Sequence, residues 1–254
     1  MASEERFGFE WDKYSKLDPN YEKQFESWIS PLTEGDFKGR EVLDAGCGMG
    51  RNSFWSLTWG ASKLVAFDFD KRSVASAKIN LSQFANVEVL FKNIYEIDWQ
   101  NQFDIAFSIG VIHHLNNPHL AISKLVRSVK PGGTVLIWVY SYEGNEWIVK
   151  YINPVRKYIT SKIPVRAVHF LAYFCSIPLW VFVKIWRGPT PYLRQLAKFK
   201  FWHLHSIVFD QLIPAVANYW TKNEASNLFD NFGLRDVQIF RPSTDCGWTV
   251  IAKK

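Results

Sequence analysis

Cysteine is scarce in this sequence. The 254 residues contain three, Cys47, Cys175 and Cys246, and no two of them share a CxxC spacing. Isolated cysteines argue against a disulfide framework and against a zinc site, and they indicate a reducing compartment. The N-terminus is acidic and has no apolar stretch of the length that a secretory signal peptide needs. We therefore expect a cytoplasmic protein.

Internal repeats and low-complexity tracts are also lacking. Hydrophobic residues make up 48% and charged residues 21% of the chain, a composition typical of a globular protein. The length allows one domain with one sizeable insertion. The formal charge of +6 favours an anionic partner such as a membrane surface, a phosphorylated substrate or nucleic acid. Much of the aromatic excess lies between Tyr140 and Trp220, which indicates an apolar surface or cavity there.

Short apolar runs alternate with helical patterns from Glu41 onwards. Helices that alternate with strands imply parallel βαβ units, with helices on both faces of one sheet. The predicted strands are 41–47, 63–69, 87–91, 103–109 and 134–140. The predicted helices are 51–59, 71–84 and 118–129, and a Lys-Pro-Gly-Gly turn at 130–133 closes the last of them.

The pattern breaks from 141 to 220 and then resumes. Thr221 and Glu224 form a capping box, which predicts a helix that runs to Phe232. Two strand-like runs follow, at 234–240 and 248–252. They predict a β-hairpin that adds an antiparallel edge to the sheet.

The strongest chemical signal is a glycine loop after the first strand. Gly46, Gly48 and Gly50 allow a tight turn and a close approach of the backbone to a ligand. Asp44 precedes the loop, where a carboxylate can receive an ammonium group, and Asp68 ends the next strand, where it can accept hydrogen bonds from a ribose. These groups suit S-adenosylmethionine better than a dinucleotide, because Asp44 would repel a pyrophosphate. The alternative is a tight turn beside two structural carboxylates.

Four segments resemble, in order and spacing, the successive motifs of class I S-adenosylmethionine-dependent methyltransferases. They are VLDAGCGMGRNSFW, VAFDFDKRSV, FDIAFSIGVIHHL and VKPGGTVLIWVY. The resemblance is to the small-molecule branch, which includes the quinone-biosynthesis enzymes. It covers 37–140 strongly and 221–254 by architecture.

The resemblance implies an α/β fold with a Rossmann-like seven-stranded sheet in the order 3-2-1-4-5-7-6. Strand 7 would be antiparallel, helices would cover both faces, and a helical insertion would follow strand 5. The chain would divide into N-terminal cap helices (1–36), a cofactor-binding methyltransferase domain (37–140 and 221–254) and an aromatic-rich substrate-recognition insertion (141–220).

The resemblance also implies which residues hold S-adenosylmethionine. The methionine end would lie against Asp44, Ala45, Gly46, Cys47, Gly48 and Gly50. Asp68 would bind the ribose and Phe69 the adenine, and Ser108 and Ile109 would line the cofactor. Many relatives have an Asp after the third strand; this chain has Asn93 followed by Ile94, and an amide oxygen can still accept a hydrogen bond there.

Two histidines, His113 and His114, follow the fourth strand and are the candidate bases for an acceptor hydroxyl. The alternative is that one packs under the next helix and the other forms a polar wall. Asp210 is a further candidate for acceptor contact. His203 and His205 lack the cysteines or carboxylates of a metal site, so we expect structural roles for them and no bound metal.

The run 163–186 contains 17 residues without a charge, from Ala167 to Val183, interrupted by Pro178. This length is at the bottom of the range for a membrane span. Basic residues on both sides suit a helix at the surface of an anionic membrane, on its cytoplasmic face. A lid on the main domain and a homodimer face are the alternatives. Phe7, Phe9, Trp11 and Tyr14 are candidates for an N-terminal lid.

We therefore predict methyl transfer to a hydroxyl, amine or ring carbon of a small or lipophilic acceptor, quinone-like or lipid-like. A nucleic-acid methyltransferase is disfavoured, because Ser108–Val111 stands where base methylases carry Asn/Asp-Pro-Pro-Tyr/Phe. A relative that binds the cofactor as a scaffold or for other chemistry remains an alternative.

Overall fold

The computed structural model describes residues 6–9, 13, 16–186, 191–242 and 247–254. Its centre is a seven-stranded sheet in the order β3-β2-β1-β4-β5-β7-β6. Neighbouring strands are parallel except β5–β7 and β6–β7. The predicted fold, including the antiparallel strand 7, is confirmed. The strands are β1 Glu41–Ala45, β2 Lys63–Asp68, β3 Val87–Phe91, β4 Phe103–Ile109, β5 Val129–Tyr140, β6 Arg235–Phe240 and β7 Gly247–Lys253.

Ten helices accompany the strands in the described part of the chain, together with a helical turn at residues 6–9. They are α1 Asn20–Ile29, α2 Glu34–Phe37, α3 Arg51–Thr58, α4 Lys71–Asn80, α5 Pro118–Ser128, α6 Asn153–Tyr158, α7 Val165–Trp186, α8 Pro191–Leu196, α9 Phe201–Asp210 and α10 Lys222–Asn227. Short 3₁₀ turns lie at Ile94–Glu96, Ile112–His114 and Thr160–Lys162, and a π-helical turn lies at Ile148–Ile152.

Apolar side chains fill both faces of the sheet. Successive residues of a strand point to opposite faces, so Val42 and Leu43 enter different cores. One core lies against α5 and contains Ile122 and Leu125. The other contains Phe25 of α1. The central strands are buried on both sides, which places the ligand-binding edge at their carboxyl ends.

Strand β5 begins earlier than the sequence pattern indicates. The predicted turn at 130–133 is a bulge within β5, because Phe103 pairs with Val129 and Ile105 already pairs with Thr134. The C-terminal residue holds this bulge: Gly132 N–H donates to Lys254 O at 2.7 Å.

The last helix is shorter than predicted. The capping box of Thr221 and Glu224 forms, but α10 ends at Asn227 instead of Phe232. Beyond it, Asn231 and Gly233 adopt left-handed backbone angles, φ +67° and +65°, that a continuing helix cannot accommodate.

The segment 141–220 packs helix on helix beside the sheet. Helix α7 lies along α9, and Val168, Ala172 and Phe209 are fully buried between them. The N-terminal turn is fixed to this segment, since Arg6 donates hydrogen bonds to Thr160 O at 2.6 Å and to Ser161 O at 2.9 Å. The predicted lid residues Trp11 and Tyr14, and Cys246, lie outside the described residues.

Candidate functional site

A cavity of about 970 Å³ opens at the carboxyl ends of the parallel strands. Ligand pockets measure about 300–1,000 Å³, so this cavity is at the large end of the range. Its wall includes eight of the residues predicted to hold the cofactor: Gly46, Cys47, Gly48, Asp68, Phe69, Asn93, Ile94 and Ile109.

The glycine loop forms the floor of the cavity. The N–H groups of Gly46 and Cys47 both donate to Phe67 O at 2.9 Å, which ties the loop to the end of β2. Gly46 has φ +80°, and a Cβ atom there would overlap Val111 Cγ2. Glycine is therefore required at position 46 both for the backbone angle and for space.

Asp68 fixes this loop and also faces the cavity. Its Oδ2 accepts a hydrogen bond from Gly48 N–H at 2.9 Å, and its Oδ1 accepts one from Asp70 N–H at 3.0 Å. Burial raises the pKa of this carboxyl to about 6. Each carboxylate oxygen can accept more than one hydrogen bond, so Asp68 retains capacity for the hydroxyl groups of a ligand.

Four predicted cofactor residues stand behind the cavity wall instead of in it. Asp44 is 1% exposed, and its Oδ2 accepts a hydrogen bond from Ser53 Oγ at 2.6 Å. Burial raises the pKa of Asp44 to about 7. Ser108 Oγ donates to Ala45 O at 2.8 Å. These three residues, with Gly50, support the strand ends and the loop from behind.

Two exposed aromatic rings mark the far end of the loop. Phe69 and Phe91 stack with their centroids 5.8 Å apart and their planes 15° apart. Asn93 lies beside them in the wall, and its Oδ1 accepts a hydrogen bond from Tyr95 N–H at 3.0 Å. The side chain of Asn93 therefore caps the following 3₁₀ turn and presents its remaining amide capacity to the cavity.

Of the two candidate bases, only His114 is in the wall. Its Nδ1 lies 2.8 Å from Val216 O. Because a carbonyl only accepts, Nδ1 carries the hydrogen and Nε2 keeps a lone pair. Burial lowers the pKa of His114 to about 4, so the ring is neutral at physiological pH.

His113 is fully buried and outside the cavity wall. Its ring stacks on Tyr140 with centroids 3.7 Å apart. Neither ring nitrogen has a hydrogen-bond partner among the described residues. Burial holds the pKa of His113 well below its usual value. Its position is that of a packed aromatic ring.

The wall also contains polar groups that the sequence did not reveal. Five buried atoms in it have no hydrogen-bond partner among the described residues: Gln24 Oε1, Trp28 Nε1, Trp138 Nε1, His203 Nε2 and Gln211 Oε1. Unpartnered buried polar atoms are rare in folded proteins, and a ligand can supply the missing partners. We call these five side chains, together with Arg51 and Asp210, the polar band.

Arg51 is the cationic member of the polar band. It begins α3 directly after the glycine loop, and its guanidinium lies 5.0 Å from the ring centroid of Trp28 and 5.3 Å from that of Tyr21. Its position after the loop could have been noticed in the sequence. The sequence does not indicate that Gln24 and Trp28 line a cavity, because an amphipathic helix that only covers a core shows the same spacing.

Asp210 is the acidic member. Tyr140 Oη lies 3.5 Å from its Oδ2, and Tyr219 stacks on Tyr140 and accepts a hydrogen bond from Arg156 at 2.7 Å. Burial raises the pKa of Asp210 to about 6 although Arg51 and Arg156 oppose the shift. The carboxyl therefore titrates near pH 6, well above the ordinary range of an aspartate.

Leucine and isoleucine side chains from the π-helical turn, α7, α8 and α9 form an apolar part of the cavity wall, which we call the apolar end: Ile148, Ile152, Leu179, Leu193, Leu196 and Leu204. His203 and His205 have separate hydrogen-bond partners and do not form a common site. His203 Nδ1 pairs with Tyr21 Oη at 3.0 Å, and His205 Nδ1 pairs with Ser176 Oγ at 2.6 Å. Across the described ranges, no group of three potential metal ligands comes together.

Comparisons with known proteins find similarity to methyltransferases. Residues 43–137 match the model of a methyltransferase domain. The mitochondrial ubiquinone biosynthesis O-methyltransferase of Dictyostelium discoideum is 31% identical over 147 residues, 52% of this chain and 44% of that protein. The tRNA (carboxymethyluridine(34)-5-O)-methyltransferase of Arabidopsis thaliana is 30% identical over 155 residues, 58% of this chain and 36% of that protein. The chain thus spans less than half the length of these two relatives.

Among solved structures, the magnesium protoporphyrin IX methyltransferase of Synechocystis PCC 6803 superposes with a TM-score of 0.58. The alignment covers 98% of this chain and 93% of that one, at 12% identity. At this identity the likeness concerns the fold.

Proposed function

We propose that this chain, which belongs to the class I S-adenosylmethionine-dependent methyltransferases, transfers the methyl group to a small acceptor with a polar head and an apolar tail. The observation that carries this proposal is the continuity of the cavity. One space runs from the glycine loop, past the polar band, to the apolar end beneath α7.

The cofactor fits the loop end by the chemistry of its residues. Gly46 and Gly48 bring the loop backbone to the cavity wall, the Asp68 carboxylate can accept from ribose hydroxyls, and Phe69 offers a flat apolar ring to a base. Asp44, behind the loop, supplies negative potential for an ammonium group. When bound, the cofactor presents a methyl group on a cationic sulfur, which makes that methyl electrophilic.

The polar band suits the head of the acceptor. Its unpartnered donors and acceptors, at Gln24, Trp28, Trp138 and Gln211, can orient a hydroxyl or carbonyl group. The proton of a hydroxyl acceptor has two destinations in the wall, His114 Nε2 and the Asp210 carboxylate. Asp210 is the stronger base of the two, because its pKa of about 6 lies closer to neutral pH than the pKa of about 4 of His114.

The apolar end suits the tail. Leucine and isoleucine side chains line it, and Leu196 and Leu204 are at most 2% exposed. A lipid-like or prenylated tail would gain from transfer into such surroundings.

A second candidate acceptor is a tRNA uridine, since several curated relatives at similar identity are named for tRNA position 34. A uridine head would fit the polar band. It would leave the apolar end without an occupant, and for that reason we place the amphipathic acceptor first.

The test is a transfer assay with cofactor labelled in its methyl group. Purified protein is incubated separately with a prenylated hydroquinone, with a bacterial lipid extract and with bulk tRNA. We expect labelled product in the organic phase and stoichiometric S-adenosylhomocysteine. Label in tRNA alone would replace the first candidate with the second. Label in none of the three acceptors would contradict the proposal.

A matched pair of variants tests the role of the apolar end. Leu179→Trp fills the cavity beneath α7, whereas Ile79→Trp adds the same ring at an exposed position of α4, away from the cavity and from α7. We expect Leu179→Trp to lower kcat/KM for a long-tailed acceptor by about tenfold or more while leaving a tail-less acceptor unaffected. Equal effects of the two variants would show that the tail binds elsewhere.

A further inference from the structure

The outward side of α7 is apolar, and the residues that the structure describes leave it largely exposed. Phe170, Phe174, Ile177, Val181 and Ile185 recur at spacings of three and four residues and therefore form one stripe, which we call the α7 outer face. These side chains are 64%, 68%, 50%, 43% and 66% exposed. An uncovered apolar surface of this kind marks an interaction site.

The charged residues of the segment that carries this face are all Lys or Arg. From 147 to 209 the chain contains ten Lys and Arg residues and no Asp or Glu. Since the whole chain carries +6, the rest of it carries a net charge of −4. Lys157, Lys162 and Arg166 are exposed near the start of α7, and Lys198 and Lys200 are exposed beyond α8. An anionic surface therefore complements this segment better than the rest of the molecule taken together.

Helix α7 is long and apolar enough to cross a membrane, with 22 residues and a mean hydropathy of 1.7 over its most apolar 18. The opposite side of the helix, however, packs against the rest of the protein. Val168, Ala172 and Ser176 are fully buried, and Ser176 Oγ bonds to His205 of α9 at 2.6 Å. A helix with one packed side and one apolar, cation-flanked side is suited to lie in the plane of a membrane surface.

We infer that the α7 outer face docks on an anionic lipid bilayer, with the flanking lysines and arginines against its headgroups. Nucleic acid matches the charge, and its bases can stack on phenylalanine rings, but it does not match the aliphatic part of the stripe, where Ile177, Val181 and Ile185 offer no ring for stacking. A bilayer satisfies both features at once.

Docking also brings the apolar end of the cavity close to the bilayer. Leu179 lies on the same helix as the outer face and lines the apolar end of the cavity. A docked molecule therefore holds this end of the cavity near the acyl chains from which a lipophilic acceptor would come. This step rests on the proposed function, whereas docking itself does not.

The experiment is vesicle co-sedimentation of the full chain. Vesicles of phosphatidylcholine alone are compared with vesicles that also contain phosphatidylglycerol, at low and high salt. We expect binding to the anionic vesicles that weakens as salt rises. A triple variant, Phe170→Ser, Phe174→Ser and Ile177→Ser, should bind about tenfold more weakly or worse.

The matched control replaces three exposed apolar side chains outside the segment: Ile79→Ser, Leu120→Ser and Val237→Ser. It should bind as the wild type does. A second variant, Lys157→Gln with Lys162→Gln and Arg166→Gln, should lose the preference for phosphatidylglycerol. Thermal unfolding of all variants confirms that they are folded.

Three outcomes would overturn the inference. The first is equal vesicle binding by the wild type and the α7 triple variant. The second is a stable dimer in solution that the α7 triple variant dissociates, since a second copy would then cover the face. The third is RNA binding that competes with the vesicles. Methylation of a soluble acceptor without vesicle binding removes this inference alone, and vesicle binding without any methyl transfer removes only the proposed function.

Discussion

Leu43, Leu136 and Ile137 in the sheet are fully buried, whereas Phe170 and Phe174 on α7 are 64% and 68% exposed. The residue types in the two regions are similarly apolar. The sheet is covered by helices on both faces, so each of its strands contributes to two cores. Within the described residues, helix α7 is covered on one side only, by α9, α8 and the N-terminal turn.

The two regions therefore serve different purposes: the sheet stabilises the fold, and the exposed side of α7 can bind a partner. Burial on both faces stabilises the sheet within the single chain, and it holds the glycine loop and Asp68 in one geometry. The exposed side of α7 contributes little to folding in water. Its apolar area is available for a partner.

The largest difference in stability is expected when one apolar side chain is truncated in each of the two regions. Leu136→Ala should lower the free energy of unfolding by about 2–5 kcal/mol, because it opens a cavity in a closed core. Phe174→Ala should change it by less than about 0.5 kcal/mol in the absence of membrane, since the ring is already exposed to water. Urea unfolding followed by circular dichroism measures both. A large loss for Phe174→Ala would mean that the outer face is covered within the chain.

Two glycines with nearly the same φ angle allow the cost of backbone strain to be distinguished from an effect on cofactor binding. Gly46 and Gly132 have φ +80° and +79°, but only at Gly46 would a Cβ overlap a neighbour. Gly132→Ala should cost about 1–2 kcal/mol of backbone strain and leave binding of S-adenosylhomocysteine unchanged. Gly46→Ala should also abolish that binding in calorimetry. Retained binding by Gly46→Ala would remove the loop from the cofactor site.

The stability should also depend on pH through two buried carboxyls, Asp44 in β1 and Asp210 at the end of α9. Burial raises the pKa of Asp44 to about 7 and that of Asp210 to about 6, from an ordinary value of 3.8. A raised carboxyl pKa in the folded state stabilises the protein at low pH, and this stabilisation is lost as pH rises from about 4 to about 7. Without ligand, Asp44→Asn and Asp210→Asn should each flatten the fall of Tm over this range. An unchanged slope in both would show that these carboxyls are solvated.

Local sequence determined the sheet and the loop end of the site. Strand runs, the turn glycines and Asp68 could be placed because strand periodicity and turn chemistry involve residues close together in the chain. The strand order followed from the resemblance of the four motifs. The sequence did not indicate that the Lys-Pro-Gly-Gly stretch belongs to β5, since the hydrogen bond from Gly132 to Lys254 joins residues far apart.

Tertiary structure decided the rest of the site. His113 and His114 are adjacent and chemically identical, yet only His114 reaches the cavity, because the 3₁₀ turn aims one ring at Tyr140 and the other at the wall. The polar band assembles Gln24, Arg51, Trp138 and Asp210 from α1, α3, β5 and α9, and no spacing within the sequence links them. The sequence of α7 shows how apolar the helix is. Which side faces water depends on where α9 packs, and that is a property of the folded chain.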